Sequence, residues 1–144
     1  MPQKYDSLKL ENQLCFPLYA CSREITKAYA PFLDKLDLTY TQYITMMVLW
    51  EHRTISVKAM GELLHLGSGT LTPLLKKMEQ KGLLTRTRDT QDERVVMVSL
   101  TPKGEAMRED ALEVPQNMGA CIHLTQEEAG QLYGILYKIL HSLE

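Results

Sequence analysis

The hydrophobic period of this chain changes once in its middle, at Gly82. Before that glycine, Leu71, Leu74, Leu75 and Met78 fall at i, i+3, i+4 and i+7, the stripe of an amphipathic helix over Ser68–Gln80. After it, Leu84, Arg86 and Arg88 alternate with threonines, the period of a strand. A polar turn, DTQDE, follows, and Arg94–Leu100, RVVMVSL, reads as a returning strand. Upstream, Ser56 is placed to cap a short helix, Val57–Leu64, with Met60, Leu63 and Leu64 facing inward. Thr54 and Ile55 before it suit a short strand. His65-Leu66-Gly67 then makes a tight connection to the Ser68–Gln80 helix. Two short helices joined this tightly, the second polar outward, form a helix-turn-helix pattern. A β-hairpin directly after the second helix is a wing.

The outward face of that helix carries Thr72, Lys76, Lys77 and Gln80, with no carboxylate until Glu79. Short hydroxyls can approach base edges, and cations can meet phosphates. Pro73 is tolerated if the helix begins near Gly69 or Thr70, because the first N–H groups have no partner anyway. Gly82 is the expected C-terminal stop. An ordinary solvated face explains this helix equally well when it is taken alone; the hairpin tips the balance. Net charge is −2, so a nucleic-acid surface has to be local. From Ser68 to Arg94, Lys76, Lys77, Lys81, Arg86, Arg88 and Arg94 face Glu79, Asp89, Asp92 and Glu93. Thr72, Lys76, Lys77 and Arg86 are therefore candidate DNA contacts, with Arg88 and Arg94 at the wing tip placed for a minor groove. Asp92 and Arg94 equally suit a hairpin salt bridge, in which Asp92 would orient Arg94.

The flanks are helical in pattern. Leu14, Leu18, Cys21, Ile25 and Ala28 repeat at helical spacing, and Pro17 requires the helix either to start near Leu14 or to kink. A start there puts Cys15 in the first turn, where the macrodipole favours a thiolate. Pro31 should break the segment and leave FLDKL as a short helix. Leu38–His52 forms the next helix, capped by Thr39 or Thr41, with Ile44, Met47, Val48 and Trp50 deeply buried. Thr101 caps another helix with Pro102 at its first position; it should weaken at Pro115 and end near Asn117–Gly119. Thr125 and Glu128 make a capping box for a last helix, with Leu132, Ile135, Leu136, Ile139, Leu140 and Leu143 as its stripe.

The compact middle can cover only part of these terminal faces, so they should pack together and against a second copy. The fold expected is mostly α with a small β wing. Residues 39–101 would form a winged helix-turn-helix DNA-binding domain, and residues 1–38 with 102–144 a helical dimerisation region. A two-fold homodimer would hold its recognition helices about one DNA turn apart, matching an inverted-repeat operator in duplex DNA. The opening MPQKYDSLKLENQ is polar, unlike a signal peptide, and no apolar run approaches a membrane span. A cytoplasmic protein with no membrane association is expected.

Cys15, Cys21 and Cys121 are an odd number with no CxxC and no metal-ligand spacing, so neither metal nor cofactor is expected. Cys15 has Tyr19 one turn later, and Tyr29 and Tyr40 further on. A peroxide-sensing thiol needs thiolate character, access and donors to hold the anion, and tyrosine hydroxyls are such donors. Buried, inert cysteines and tyrosines account for the same residues.

The stretches LENQLCFPLYACSREITKAYAPFLDKLDLTYTQY, VLWEH, SGTLTPLLKKMEQKGLL and DERVVMVSLT resemble the organic-hydroperoxide resistance regulators, the thiol-sensing branch of the MarR repressors. The likeness covers roughly residues 8–104 and weakens beyond Met107. It implies a homodimeric repressor, not an enzyme, whose Cys15 is oxidised to a sulfenic acid by organic hydroperoxide. It implies Tyr29 and Tyr40, with Tyr19 as in some members, as the residues holding the thiol, partly across the subunit boundary. It also implies DNA contacts from Ser68, Thr70, Thr72 and Lys76, and from Arg94 within the Asp92–Arg94 signature. One subclass caps a lone cysteine with a small thiol. The other carries a resolving cysteine near the C-terminal dimer helices, where Cys121 lies, which implies an intersubunit Cys15–Cys121 disulfide. Cys21 is about 240° around the helix from Cys15 and reads as structural. Pro17 departs from the family pattern. Two other readings remain open: a MarR-type repressor gated by a small ligand, and a thiol peroxidase. The latter lacks a βαβ pattern, a CxxC, and any His or Arg near Cys15 other than Arg23.

Overall fold

The structure is a computed structural model that describes residues 1 and 3–144 of the chain. Two 3₁₀ turns, Asp6–Leu8 and Leu10–Asn12, precede α1 (Cys15–Asp34) and α2 (Tyr40–His52). Strand β1 (Thr54–Ser56), α3 (Val57–Leu64), α4 (Ser68–Gln80), β2 (Leu84–Arg88) and β3 (Val96–Leu100) follow. The chain closes with α5 (Pro102–Ala111), α6 (Glu113–Cys121) and α7 (Gln126–Ser142). The three strands form one antiparallel sheet ordered β1-β3-β2, with Ile55 and Arg86 both opposite Val98. This is the expected mostly α fold with a β wing.

The apolar stripe of α4 explains its seat. Leu71, Leu74, Leu75 and Met78 are all buried, in one core with Met46 and Leu49 of α2, Met60 of α3, Leu83, Leu84 and Val98. Caps fix the helix starts: Thr39 with Gln42 in a reciprocal box, Ser56 on the Ala59 N–H, Thr101 on the Gly104 N–H, and Thr125 with Glu128. Gly82 (φ 80°) stops α4, its N–H donating to the Glu79 carbonyl. Trp50 is core, and its indole N–H donates to the Gly104 carbonyl at 2.9 Å.

Gly104 is where α5 presses hardest on the wing. A Cβ there would overlap the Leu83 carbonyl oxygen and sit 2.7 Å from Leu100 Cδ1. Both neighbours are held, one by backbone and one by the core. Gly104→Ala is therefore expected to lower stability by about 1–3 kcal/mol despite the better helix propensity of alanine. A thermal melt should show a fall of several degrees.

Several local expectations give way to packing. Pro31 does not break α1, which runs on to Asp34. Lys27, the carbonyl that loses its donor, lies on the exposed side, where water can serve it. Leu33 beyond the proline is buried and holds the helix in place. Pro115 acts earlier than expected. A proline ring clashes with the carbonyl four residues back, here Ala111, and α5 ends at Ala111. Pro115 then sits in the first turn of α6, which passes Gly119 and ends at Cys121. Helix α4 begins at Ser68, which puts Pro73 in its second turn on the exposed side rather than in its first. Met47 is 45% exposed and Leu63 53% exposed, so neither is core. The returning strand starts at Val96, leaving Arg94 in the turn.

Helix α7 has a full apolar stripe and no buried residue. Leu8, Leu10, Leu14, Phe16 and Leu18 at the other end of the chain are exposed too. A single copy leaves a large apolar surface uncovered.

Candidate nucleic-acid interface and thiol site

Because α4 buries one stripe, it turns the opposite one outward. Ser68, Thr70, Thr72, Lys76, Lys77 and Gln80 are all exposed. The N-terminal half of this face carries hydroxyls and the C-terminal half cations, the order a groove-reading helix needs. No side chain caps the N-terminus of α4, so its first N–H groups stay open to an acceptor such as a phosphate.

The wing is tied to this helix by one ion pair. Glu79 accepts the Arg86 backbone N–H at 2.9 Å and the Arg86 guanidinium at 3.0 Å and 3.3 Å. These bonds hold the Glu79 carboxyl below its ordinary range, the side-chain bond from Arg86 contributing most. Arg86, expected at the DNA face, therefore has its charge engaged by Glu79, in a pair that bridges α4 and the first strand of the wing. Arg88 is turned back likewise, donating to the Glu93 carbonyl at 2.9 Å. Arg94 is different. Asp92 accepts its backbone N–H at 3.1 Å and its guanidinium at 3.1 Å and 3.2 Å, yet the Arg94 side chain is 90% exposed. Asp92 orients Arg94 at the wing tip without covering it.

Cys15 is the first residue of α1 and is exposed. Pro17 falls in the same first turn, where the N–H it lacks has no intrahelical partner to lose, so this departure from the family pattern costs no helix bond. Tyr19 is exposed and lies under the Arg23 guanidinium, 5.7 Å from ring centre to carbon. Tyr29 and Tyr40 meet at 4.9 Å between ring centres. Tyr43, which sequence reasoning does not single out, completes a trio at 5.8 Å from Tyr29 and 6.4 Å from Tyr40, only 3% exposed. Burial, and then the neighbouring phenols, raise Tyr29 and Tyr43 above the ordinary phenol range. Both stay protonated at neutral pH and can donate to an anion.

Within one chain, the thiol and the trio do not meet. Fourteen residues of α1 separate Cys15 from Tyr29, about 21 Å along the axis. Cys21, expected to be structural, is exposed and so is not part of the core of its own chain. Cys121 is exposed at the end of α6, its thiol directed at the Asn117 carbonyl at 3.4 Å. Among the described residues no metal-ligand group forms and no helix is long and apolar enough to cross a membrane.

A polar helix presented outward by a helix-turn-helix core, with a hairpin wing beside it, makes this a winged-helix protein. Residues 27–111 match the family described as transcriptional regulator SarA/Rot. The organic hydroperoxide resistance transcriptional regulator of Bacillus subtilis is 52% identical over 99% of this chain and 97% of its own length. Reduced AbfR bound to DNA, a protein of Staphylococcus epidermidis, superposes with a TM-score of 0.80 at 32% identity, covering 99% of this chain and 100% of that one. The disulfide form of AbfR gives 0.70 at 33% identity over 97% and 96%. The chain belongs to the organic-hydroperoxide resistance regulators of the MarR family.

Proposed function

We propose that this protein is a peroxide-sensing repressor. As a reduced homodimer it binds an inverted-repeat operator in duplex DNA, and it releases that DNA when an organic hydroperoxide oxidises Cys15. Residues 39–101 act as the DNA-binding domain, and residues 1–38 with 102–144 as the dimerisation region. The observation that carries the reading is the separation of Cys15 from the tyrosine trio along α1. Each end of that helix holds half of a sensing site, and a second copy laid antiparallel supplies the missing half to each. The uncovered stripe of α7 and the exposed apolar residues around Cys15 provide the surface for that copy. Its relative AbfR has DNA-bound and disulfide forms, and its Bacillus relative carries organic hydroperoxide resistance in its name.

In the chemistry, the Cys15 thiolate attacks the terminal oxygen of the hydroperoxide. The O–O bond breaks, a sulfenic S–OH forms, and the alkoxide takes a proton and leaves as the alcohol. The hydroxyls of Tyr29 and Tyr40 of the second copy hold the thiolate beforehand, with Tyr19 near the mouth, and lose it when the charge on sulfur is gone. The Cys121 thiol of the second copy then displaces water from the sulfenic acid to make a disulfide. Its closure requires the Cα atoms of Cys15 and the second copy's Cys121 to come within about 7 Å, and so couples the positions of the two helices that carry them.

On DNA, Ser68, Thr70 and Thr72 approach the bases while Lys76, Lys77 and Arg94 meet phosphates and the minor groove. Lys76→Ala is expected to weaken binding about equally on all sequences and to lower the slope of log affinity against log salt by about 1. The test of the whole reading is an operator titration at fixed salt, before and after one equivalent of cumene hydroperoxide. Affinity should fall by about 100-fold, near the upper end of what ordinary allosteric coupling supplies. Unchanged affinity in a protein whose Cys15 is shown to be oxidised overturns it.

A further inference from the structure

One side chain fastens the end of the recognition helix to the corner between α1 and α2. Lys81 caps α4. Its ammonium donates to the Asp37 carbonyl at 2.5 Å and to Gln42 Oε1 at 3.2 Å, and lies 3.5 Å from Asp37 Oδ2. Two of the ammonium's three donors are therefore used in hydrogen bonds, and the Asp37 carboxylate stands within ion-pair reach. Asp37 turns the corner with a left-handed backbone, φ 54°, a conformation that aspartate adopts more readily than most non-glycine residues.

Gln42 is buried and works in two directions. The same Oε1 that meets Lys81 accepts the Thr39 N–H at 3.1 Å, half of the box that starts α2. Tyr40 and Tyr43 stand on either side of Gln42 in that first turn and stack with Tyr29 of α1. The corner that carries the tyrosine trio is thus the corner that Lys81 grips. From the other side, Lys103 Nζ donates to the Lys81 carbonyl at 2.7 Å, and the Thr101 hydroxyl to the Gly82 carbonyl at 2.6 Å.

We propose that Lys81 is a positioning residue that converts a displacement of the tyrosine corner into a tilt of the recognition helix. The proposal rests on the redox-repressor reading above. Helix α4 has 13 residues, so it is about 20 Å long. A tilt of about 5° pivoting at its C-terminal end moves Ser68 by about 1.7 Å at that length. Hydrogen bonds to bases and phosphates do not survive such a shift. The grip itself is sensitive at the same scale, because its bonds are lost when the corner moves by about 1 Å.

Lys81→Met keeps the aliphatic stem and removes all three donors, and Lys81→Arg restores charge and donors. The experiment measures operator affinity at fixed salt for reduced and for hydroperoxide-treated protein, with Cys15 oxidation followed by mass spectrometry. Cys15 should oxidise equally in wild type and both variants. The ratio of reduced to oxidised affinity should shrink about 10-fold or more in Lys81→Met and recover in Lys81→Arg. Gln42→Met should lower the ratio likewise, and should add little when combined with Lys81→Met, as expected of partners in one linkage. A Lys81→Met protein that releases DNA by the same factor as wild type overturns the proposal. A wild-type protein that keeps its operator after Cys15 is oxidised overturns the underlying reading instead, so the two failures are distinct.

Discussion

Ile135→Asp is expected to turn the protein into a monomer that binds operator weakly or not at all. Ile135 lies on the apolar stripe of α7 and is 57% exposed in the single chain. An aspartate there meets water in a monomer and costs the fold of one chain little. In the proposed dimer, seated on the α7 stripe, the same position would be covered, and two-fold symmetry would place the substitution twice in one interface. An uncompensated buried charge costs about 3 kcal/mol or more, so two cost about 6 kcal/mol. At about 1.4 kcal/mol per tenfold, dimer dissociation should rise about 10⁴-fold. Sedimentation or light scattering at micromolar concentration would show the shift in mass, and circular dichroism would show the helices kept. Operator affinity should fall with it, because one helix on one half-site loses the gain from the linked second site. A protein that stays dimeric at low micromolar concentration would place the partner surface elsewhere than on α7.

Much of the middle of the chain is legible from its residues because most local signals there agree with their tertiary setting. Helix α3 spans the residues its cap and stripe specify, and all four stripe residues of α4 are buried. The misses come from what periodicity cannot weigh. Met47 and Leu63 are apolar and correctly spaced, yet the small domain has too few elements to cover every side of α2 and α3. Pro31 reads as a breaker until the burial of Leu33 beyond it is counted. The pairs Glu79–Arg86 and Lys81–Gln42 join elements 7 and 39 residues apart, and a list of charges cannot show which ones face each other. Arg86 therefore looked available for DNA when Glu79 holds it. Tyr43 carries no signal of its own in the sequence that would set it apart from the other tyrosines. Only its stacking on Tyr29 and Tyr40 joins it to the candidate thiol site. The fold came through because it depends on stripes, and the site only in part because it depends on pairs.

Cys15→Ser should bind operator as the reduced wild type does and show no release by organic hydroperoxide, a loss of response of about 100-fold, near the upper end of ordinary allosteric coupling. Serine fills nearly the same space, so the first turn of α1 and the face around it are preserved. Its hydroxyl is a poor nucleophile at neutral pH without an adjacent base, so the O–O bond is not broken. Continued release of this variant would favour a repressor gated by a bound ligand, and catalytic turnover of hydroperoxide by the wild type with a reductant supplied would favour a thiol peroxidase. Cys121→Ser separates the two fates of the sulfenic acid. With Cys121 as the resolving thiol, this variant stops at S–OH, and the interchain band on a non-reducing gel disappears. Cys21→Ser should keep that band, because Cys21 is about 240° around α1 from Cys15. A band that survives Cys121→Ser and is lost in Cys21→Ser reverses the assignment of the two cysteines. It would then move the point of strain from the α6 end to α1 itself, and with it the route by which oxidation reaches the recognition helix.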